Sequence, residues 1–209
     1  MITYPLSFPT FTGAAKLSPI ARQVVGASTS PFTSSQKVYP WSAQWWEHHV
    51  TLPPLFGAEG AQMVAFLVSL NGVEGTFTMR DLSYRGARGA VLGTPVVSGA
   101  GQTGNTLHTS GWTEGVLGQL EIGDQFQLGT GASAHIHKVL ATVNSDGSPS
   151  GEADIEIWPS LRGSPSNGAS LITSNPVGLW RLTENNFQWS VLPGEEYEIQ
   201  FSVREALSE

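Results

Sequence analysis

The feature that most constrains this chain is a stretch of alternating apolar and polar residues between Gln119 and Arg162. A period of two residues predicts β-strands with one face in water and the other against a core. The segment Asn144–Gly151 combines Asn, Asp, Gly, Pro and Ser, a composition typical of a hairpin loop. We therefore predict an antiparallel meander with one buried side. Its apolar positions are Leu120, Ile122, Phe126 and Leu128, which should face one way around the Gly123-Asp124 turn, then Ile136, Val139, Val143, Ile155, Ile157 and Pro159.

The rest of the chain offers further strands and a single helix. Apolar residues recur at helical spacing between Ala58 and Leu70, and Asn71-Gly72 supplies a C-terminal stop. We predict a mainly β fold: an antiparallel β-barrel or β-sandwich with one flanking α-helix and an inserted β-meander. The other strands are expected at Gln36–Leu52, Gly75–Asp81, Ala90–Ser98, Thr106–Trp112, Val177–Thr183, Asn186–Leu192 and Glu196–Val203.

The N-terminal residues 1–35 differ in composition from the remainder of the chain. Prolines at Pro5, Pro9, Pro19 and Pro31 disfavour a continuous helix or central strand. We predict an extended N-terminal arm whose apolar side chains pack on its own body or on a neighbour; an unpacked terminus is the alternative. Residues 36–209 should form the β-rich domain, with 111–171 as an inserted β-subdomain. The apolar side chains of the arm are Tyr4, Leu6, Phe8 and Phe11.

The charge content favours a protein that contacts other proteins. Charged residues make up 13% of the chain, against the ~25% usual for soluble domains. A net charge of -7 disfavours a nucleic-acid partner. The chain has 0 Cys, which excludes disulfides and thiolate chemistry. A surface with so few charges predicts an assembly subunit.

The two ends of the chain carry opposite charge. Lys16, Arg22 and Lys37 precede the first acidic residue, Glu47, whereas the last residues are rich in glutamate. This asymmetry suits head-to-tail contact between identical subunits, with ordinary solvated faces as the alternative. No apolar run approaches the ~18 residues of a membrane span, and the first residues lack a signal peptide's pattern. We expect a protein made and used in the cytoplasm, unless it is assembled into something exported by lysis.

The histidines provide few candidate ligands for a metal. His48-His49 and the pair His135 and His137 are the clusters, and His108 stands alone. A catalytic zinc needs three protein ligands with supporting partners, which these spacings do not supply. We interpret them as solvated strand histidines.

Acidic and glycine-rich segments provide equally weak catalytic signals. Glu152, Asp154 and Glu156 share a strand face, but nothing in the sequence predicts the raised pKa that a glycosidase acid needs. Asp124 follows Gly123 as turn residues do. Residues 99–104 (GAGQTG) lack the lysine and following helix of a phosphate loop. We therefore predict no enzyme activity, no metal and no cofactor.

The 7 Trp admit two interpretations. Aromatic residues concentrate in cores and at the centres of interfaces, which we favour. Exposed tryptophans on a β-sandwich could instead stack against sugars. The candidate subunit-interface residues are Trp41, Trp45, Trp46, Arg85, Arg88, Trp180 and Trp189.

Several stretches between Gln36 and Leu207 resemble tail proteins of tailed bacteriophages, and more narrowly distal-tail, tail-hub and related minor tail subunits. They read VYPWSAQWWEHHVTLPPL, LVSLNGVEGTFTMRD, VSGAGQTGNTLHTSGW, LEIGDQFQLG, HKVLATV, WPSLR and ITSNPVGLWRLTENNFQWSV. The motifs are structural, so no catalytic residue is carried over.

The resemblance implies a non-enzymatic subunit of the virion tail, assembled in the cytoplasm of the host bacterium. Such subunits close into rings, as a rule hexamers, that join the tail tube to the tip or receptor-binding apparatus. Many carry a larger C-terminal carbohydrate-module-like domain for which this chain is too short, so direct sugar binding is in doubt. The alternatives are a carbohydrate-binding β-sandwich that uses exposed tryptophans, and a small tail-tip hydrolase built on Glu152, Asp154 or the histidines.

Overall fold

A computed structural model of the chain describes residues 2–10 and 16–207. The described residues are rich in strands and contain one α-helix, which confirms the mainly β fold predicted from the alternation. The strands are β1 (Leu6–Ser7), β2 (Lys16–Thr29), β3 (Gln36–Thr51), β4 (Leu55–Phe56), β5 (Phe77–Arg80), β6 (Gly93–Val97), β7 (Thr106–Trp112), β8 (Gln125–Leu128), β9 (His135–Val139), β10 (Ala153–Trp158), β11 (Val177–Leu182), β12 (Trp189–Leu192) and β13 (Glu196–Glu205); the helices are α1 (Gly57–Ser69) and a 3₁₀ turn at Gly131–Ser133.

The strands form two sheets. The first has the order β1-β5-β11-β13-β3-β2, and β12 and β4 both pair with β13 beside this path. Strands from the front and the back of the chain therefore lie in one sheet. The second has the order β6-β7-β10-β9-β8. Because β6 and β7 belong to it, this sheet takes in more of the chain than the expected insert 111–171.

Each sheet covers its own apolar core. The first core contains Phe77, Trp180 and Val203, and the second contains Leu107, Phe126 and Ile155. Ile136 of β9 lies in the first core, although its strand belongs to the second sheet, so the two layers are packed together. The N-terminal side chains Tyr4, Leu6 and Phe8 pack on the first core, while Phe11 lies outside the described residues.

Helix α1 matches its prediction closely and packs tightly on the first sheet. It buries Met63 and Leu67, and positive φ values at Asn71 and Gly72 follow its C-terminus, at the predicted stop. Gly60 allows the closest approach, since a Cβ atom there would lie 2.2 Å from Cδ2 of Tyr197. Glycine at this position lets the helix lie against the aromatic ring on β13.

The alternation around β8 predicts burial incorrectly. All four residues of β8 are buried, because Gln125 donates to Oδ2 of Asp81 at 2.7 Å and Val177 N–H donates to Oε1 of Gln127 at 2.9 Å. The face of β8 that was expected to lie in solvent is thus covered by the loop after β5 and by the start of β11. Ile122, expected to face inward, is instead 58% exposed on the turn before β8.

Candidate interaction surface: a projecting hairpin

The largest departure from a closed β fold is the hairpin formed by β2 and β3. Their register runs from Lys16 opposite Thr51 to Thr29 opposite Gln36, with an irregularity between Gln23 and Val25. Residues 16–29 of the expected N-terminal arm are therefore one strand of a long ribbon. The connecting turn is closed by the Ser30 N–H, which donates to the Ser35 carbonyl at 2.9 Å.

The distal part of this hairpin projects past the end of the sheet. β13 pairs with β3 only between Glu47 and Thr51. Residues 24–43, which we call the arm, have no strand partner apart from each other within the described residues. Both edges and both faces of the arm are consequently open to solvent. An isolated two-stranded hairpin is marginally stable in water, so this ribbon is a segment that a partner would stabilise.

The arm exposes several large apolar side chains and carries almost no charge. Phe32 at its tip is 94% exposed and Trp41 is 64% exposed. Lys37 is the one charged residue in the sequence of the arm, and its Nζ lies 5.3 Å from the centre of the Tyr39 ring. Large apolar side chains exposed together on one uncovered segment indicate an interaction site. The other large exposed side chains on the arm are Val24, Val25, Val38 and Tyr39.

An ion pair holds the base of the arm on the exposed face. Arg22 on β2 donates from Nε to Glu47 Oε2 at 3.0 Å and from Nη2 to Oε1 at 3.1 Å. The hydrogen bond from Arg22 lowers the pKa of Glu47, so the carboxylate keeps its charge. This fork geometry ties the two strands together just before the arm begins.

Aromatic packing holds the base of the arm on the buried face. The indole N–H of Trp46 donates to the Ile136 carbonyl at 3.2 Å, and its ring meets Trp158 edge-on at 4.3 Å between centroids. The N–H of Ser160 donates to Oε1 of Gln44 at 2.8 Å. These contacts anchor the hairpin to the second sheet, so the arm extends from a fixed base.

A second exposed apolar surface lies on β12, which we call the β12 edge (Trp189–Leu192). All four residues are exposed, and the strand pairs on one side with β13, with no strand on its other side among the described residues. The rings of Trp189 and Phe187 stack at 5.3 Å. The following turn and the start of β13 carry Glu195, Glu196 and Glu198.

The arm and the β12 edge lie at opposite ends of β13. β12 pairs with β13 from Glu196 to Ile199, whereas β3 leaves β13 at Arg204, opposite Glu47. Eight residue steps separate Glu196 from Arg204, or roughly 26 Å of strand. The molecule thus exposes two different uncovered surfaces, one at each end of the same strand.

A groove of about 700 Å³ lies next to the β12 edge, on the outer side of the first sheet. Its lining is mostly polar, and the half-buried Phe187 is one of its aromatic residues. The polar side chains that line it are His49, Thr51, Thr183, Glu184, Asn186, Gln188, Gln200 and Ser202.

Two histidines expected to be solvated are buried, and the sequence prediction for them is wrong. Burial lowers the pKa of His48 to about 4, and Nδ1 of this ring has no hydrogen-bond partner among the described residues. Burial likewise lowers the pKa of His137 to about 4, although its Nδ1 lies 2.8 Å from the Pro159 carbonyl oxygen. Both rings pack on aromatic neighbours, Trp180 and Phe126 respectively, and act as neutral parts of the cores near pH 7.

The remaining titratable candidates form ordinary structural contacts. His108 and Asp154 face each other on exposed strand surface at 2.5 Å, and Glu152 and Glu156 are exposed on the same side. His135 binds Glu205 at 3.1 Å. Within residues 2–10 and 16–207, no cluster of three or more His, Asp or Glu side chains has the arrangement of a metal site.

Asp124 does more than shape a turn. Its buried carboxylate accepts N–H groups from Arg88, Gly89 and Glu121 at 2.8 to 3.1 Å. The Nε of Arg88 lies 3.5 Å from the same carboxylate, and its Nη2 donates to the Ile122 carbonyl. Asp124 therefore holds the loop after β5 onto the second sheet, and Arg88 is engaged within its own chain.

The seven interface residues named from sequence occupy different environments. Trp41, Trp189 and Arg85 are exposed, so they are free to meet a partner. Trp46 and Trp180 are buried in the first core, where one chain already covers their apolar surface. Trp45 is half-buried, with the Arg204 guanidinium 5.4 Å above its ring.

Comparison with known proteins adds no relative to this picture. No protein-family model matches the chain, and no curated protein matches its sequence. In the part of the chain that the structure describes, no helix has both the length and the hydropathy to cross a bilayer.

Proposed function

We propose that the chain is a non-enzymatic structural subunit of a bacteriophage tail, which assembles with copies of itself into a ring, as tail-hub subunits do. The observation that carries this proposal is the arm: a projecting, nearly uncharged ribbon with Phe32 and Trp41 in solvent. The low overall charge of the chain, 13%, also favours a surface that is largely covered by other proteins.

The shape of the arm supports contact with another chain. A ribbon with two open edges exposes unpaired backbone N–H and C=O groups, which natural proteins cover or interrupt. The arm lacks the charged side chains that would keep such an edge soluble, apart from Lys37. Covering it with a protein partner would remove the apolar side chains from water and give the ribbon the third strand that stabilises small sheets.

In this proposal the ring is a hexamer that joins the tail tube to the tip apparatus. The partners are copies of the same chain, the tube protein and the tip or baseplate proteins, and the location is the virion tail after assembly in the host cytoplasm. The sequence resemblance between Gln36 and Leu207 supports these finer assignments, and the projecting arm supports the assembly itself.

The test compares the full chain with a variant that lacks the arm. Gln23 and Gln44 are partners in the register, so Asn-Gly can replace residues 24–43 as a two-residue hairpin turn. We expect the full chain to form a discrete oligomer by light scattering and rings by negative-stain microscopy, and the variant to remain monomeric while still unfolding cooperatively in urea. A full chain that stays monomeric at high concentration would refute the proposal.

A second candidate function is carbohydrate binding, which the polar groove and the stacked Phe187–Trp189 pair favour. Amide and carboxylate side chains beside an aromatic face suit recognition of sugar hydroxyls and ring C–H groups. A glycan array with wild type and Trp189→Ala decides: saturable binding that the variant loses supports this function. Equal signals from both proteins would count against it.

A further inference from the structure

We infer that the arm of one copy docks along the β12 edge of a second copy, with Lys37 placed against the glutamates that follow β12. This inference rests on the proposed function, because it assigns the two surfaces through which the copies meet. It makes the contact head-to-tail, with a donor surface and a different acceptor surface on every chain.

The positions of the two surfaces favour a head-to-tail contact. The arm leaves the sheet where Arg204 faces Glu47, and β12 lies beside Glu196–Ile199 at the other end of β13. Surfaces at opposite ends of one strand cannot both be buried by a two-fold symmetric contact of the arm with itself. A contact between unlike surfaces that passes from copy to copy closes into a ring when its rotation divides a full turn.

The charges of the two surfaces are complementary. Lys37 is the sole charged residue of the arm, whereas Glu195, Glu196 and Glu198 are clustered beside the β12 edge. None of the ion pairs within residues 2–10 and 16–207 involves these three glutamates. An approaching lysine therefore meets carboxylates that have no cationic partner in the described part of their own chain.

The apolar and backbone groups of the two surfaces also match. Trp189, Val191 and Leu192 on the β12 edge are exposed, as are Val38 and Tyr39 beside Lys37. Both β12 and the distal part of β3 have an open edge among the described residues. Adding one strand to the other would pair backbone groups on both chains while covering these side chains.

The side-chain composition of the arm disfavours other kinds of binding partner. A membrane-surface or nucleic-acid contact needs several cationic side chains, and the arm has one lysine. A second copy supplies both the apolar strand edge and the acidic groups that the arm lacks.

Photocrosslinking of the full chain tests the contact directly. Benzoylphenylalanine in place of Trp41 should form crosslinks to residues 186–198 of another copy, mapped by mass spectrometry. The matched control places the same probe at Leu117, which is 80% exposed in the loop between β7 and β8, and should give no crosslinks to that region. Crosslinks from position 41 that map elsewhere on a second copy would overturn the inference while leaving assembly intact; a monomer without crosslinks would overturn both.

Charge exchange provides an independent readout. Lys37→Glu and Glu198→Lys should each weaken self-association about fivefold, as expected for one ion pair at an interface rim. Combining the two substitutions in one chain should restore most of the loss, because every head-to-tail contact then regains an opposite-charge pair. Losses that simply add in the double variant would overturn the pairing of Lys37 with these glutamates.

Discussion

Glu205 at the end of β13 and Arg162 after β10 form an ion pair of 2.9 Å across the boundary between the two sheets. Glu205 is 3% exposed. Its carboxylate also accepts hydrogen bonds from the His135 ring at 3.1 Å and from the backbone N–H of Trp46 at 3.3 Å. Burial alone would raise the pKa of Glu205, but the His135 hydrogen bond and the Arg162 guanidinium hold it below its usual range. One charged group thus binds the second sheet to the base of the projecting hairpin.

Removing this charge should destabilise the fold. Glu205→Gln leaves the Arg162 guanidinium, itself largely buried, without its counter-ion, and such losses cost roughly 3 kcal/mol of unfolding free energy. Urea denaturation followed by tryptophan fluorescence would measure the change. The matched control is Asp154→Asn, which breaks the exposed pair with His108 and should have little effect. Equal effects of the two substitutions would show that the buried pair has no special role.

The buried histidines predict a loss of stability between pH 6.5 and pH 4. Because His48 and His137 have a folded-state pKa of about 4, the unfolded chain binds more protons than the folded chain in this range. Stability should therefore fall as the pH is lowered from 6.5, by on the order of 3 kcal/mol per histidine once pH 4 is reached. Urea midpoints at pH 7 and pH 5 would detect it.

Substitution separates this effect from those of the carboxylates. The pKa values of Asp81 and Glu205 are lowered in the fold, so their contributions are lost below about pH 4.5, outside the tested interval. His48→Phe should remove about half of the change between pH 7 and pH 5. His49→Phe, at the exposed neighbouring position, should leave it intact. An unaltered pH response in His48→Phe would contradict the assignment.

Gly60 is predicted to be irreplaceable by alanine. Helix propensity alone would make Gly60→Ala stabilising by ~1 kcal/mol, but the new Cβ would lie 2.2 Å from Tyr197 Cδ2 and 2.9 Å from Tyr197 Cβ. Overpacking of this kind costs ~1–3 kcal/mol, because the helix or the strand must move. We expect a lower urea midpoint for Gly60→Ala and recovery when Tyr197→Ala is added. Gly147→Ala, with open space around its Cβ, is the control.

Local sequence patterns predict the elements of this fold well. The limits of α1 and β7 and the alternation of β13 follow from period and stop signals, since each element carries its own apolar face. The mainly β class follows from the same signals. Such patterns identify the apolar face of a strand, but they do not identify the elements that pack against it.

Features that depend on distant contacts are missed. Gln125 and Gln127 look solvated in sequence and are buried because Asp81 and Val177 from other elements satisfy them. His48 lies on the buried face of β3 with Trp46 and Val50, where its ring packs on Trp180 from a distant strand, whereas the neighbouring His49 is exposed. The projection of the arm is likewise invisible, because it depends on where β13 stops pairing with β3.

The arm predicts a specific pattern of proteolysis. Lys37 lies beside the turn at the exposed end of the ribbon, so trypsin should cut after Lys37 early in dilute, unassembled protein. Arg85, in an exposed loop before β6, provides an internal reference, since it lies outside the proposed contact. Raising the protein concentration through the assembly range should slow cleavage after Lys37 several-fold and leave cleavage after Arg85 unchanged, as gel densitometry or mass spectrometry would show. Parallel protection of both sites would contradict an interface limited to the arm and the β12 edge, and would extend it to the loop of Arg85, one of the residues chosen from sequence.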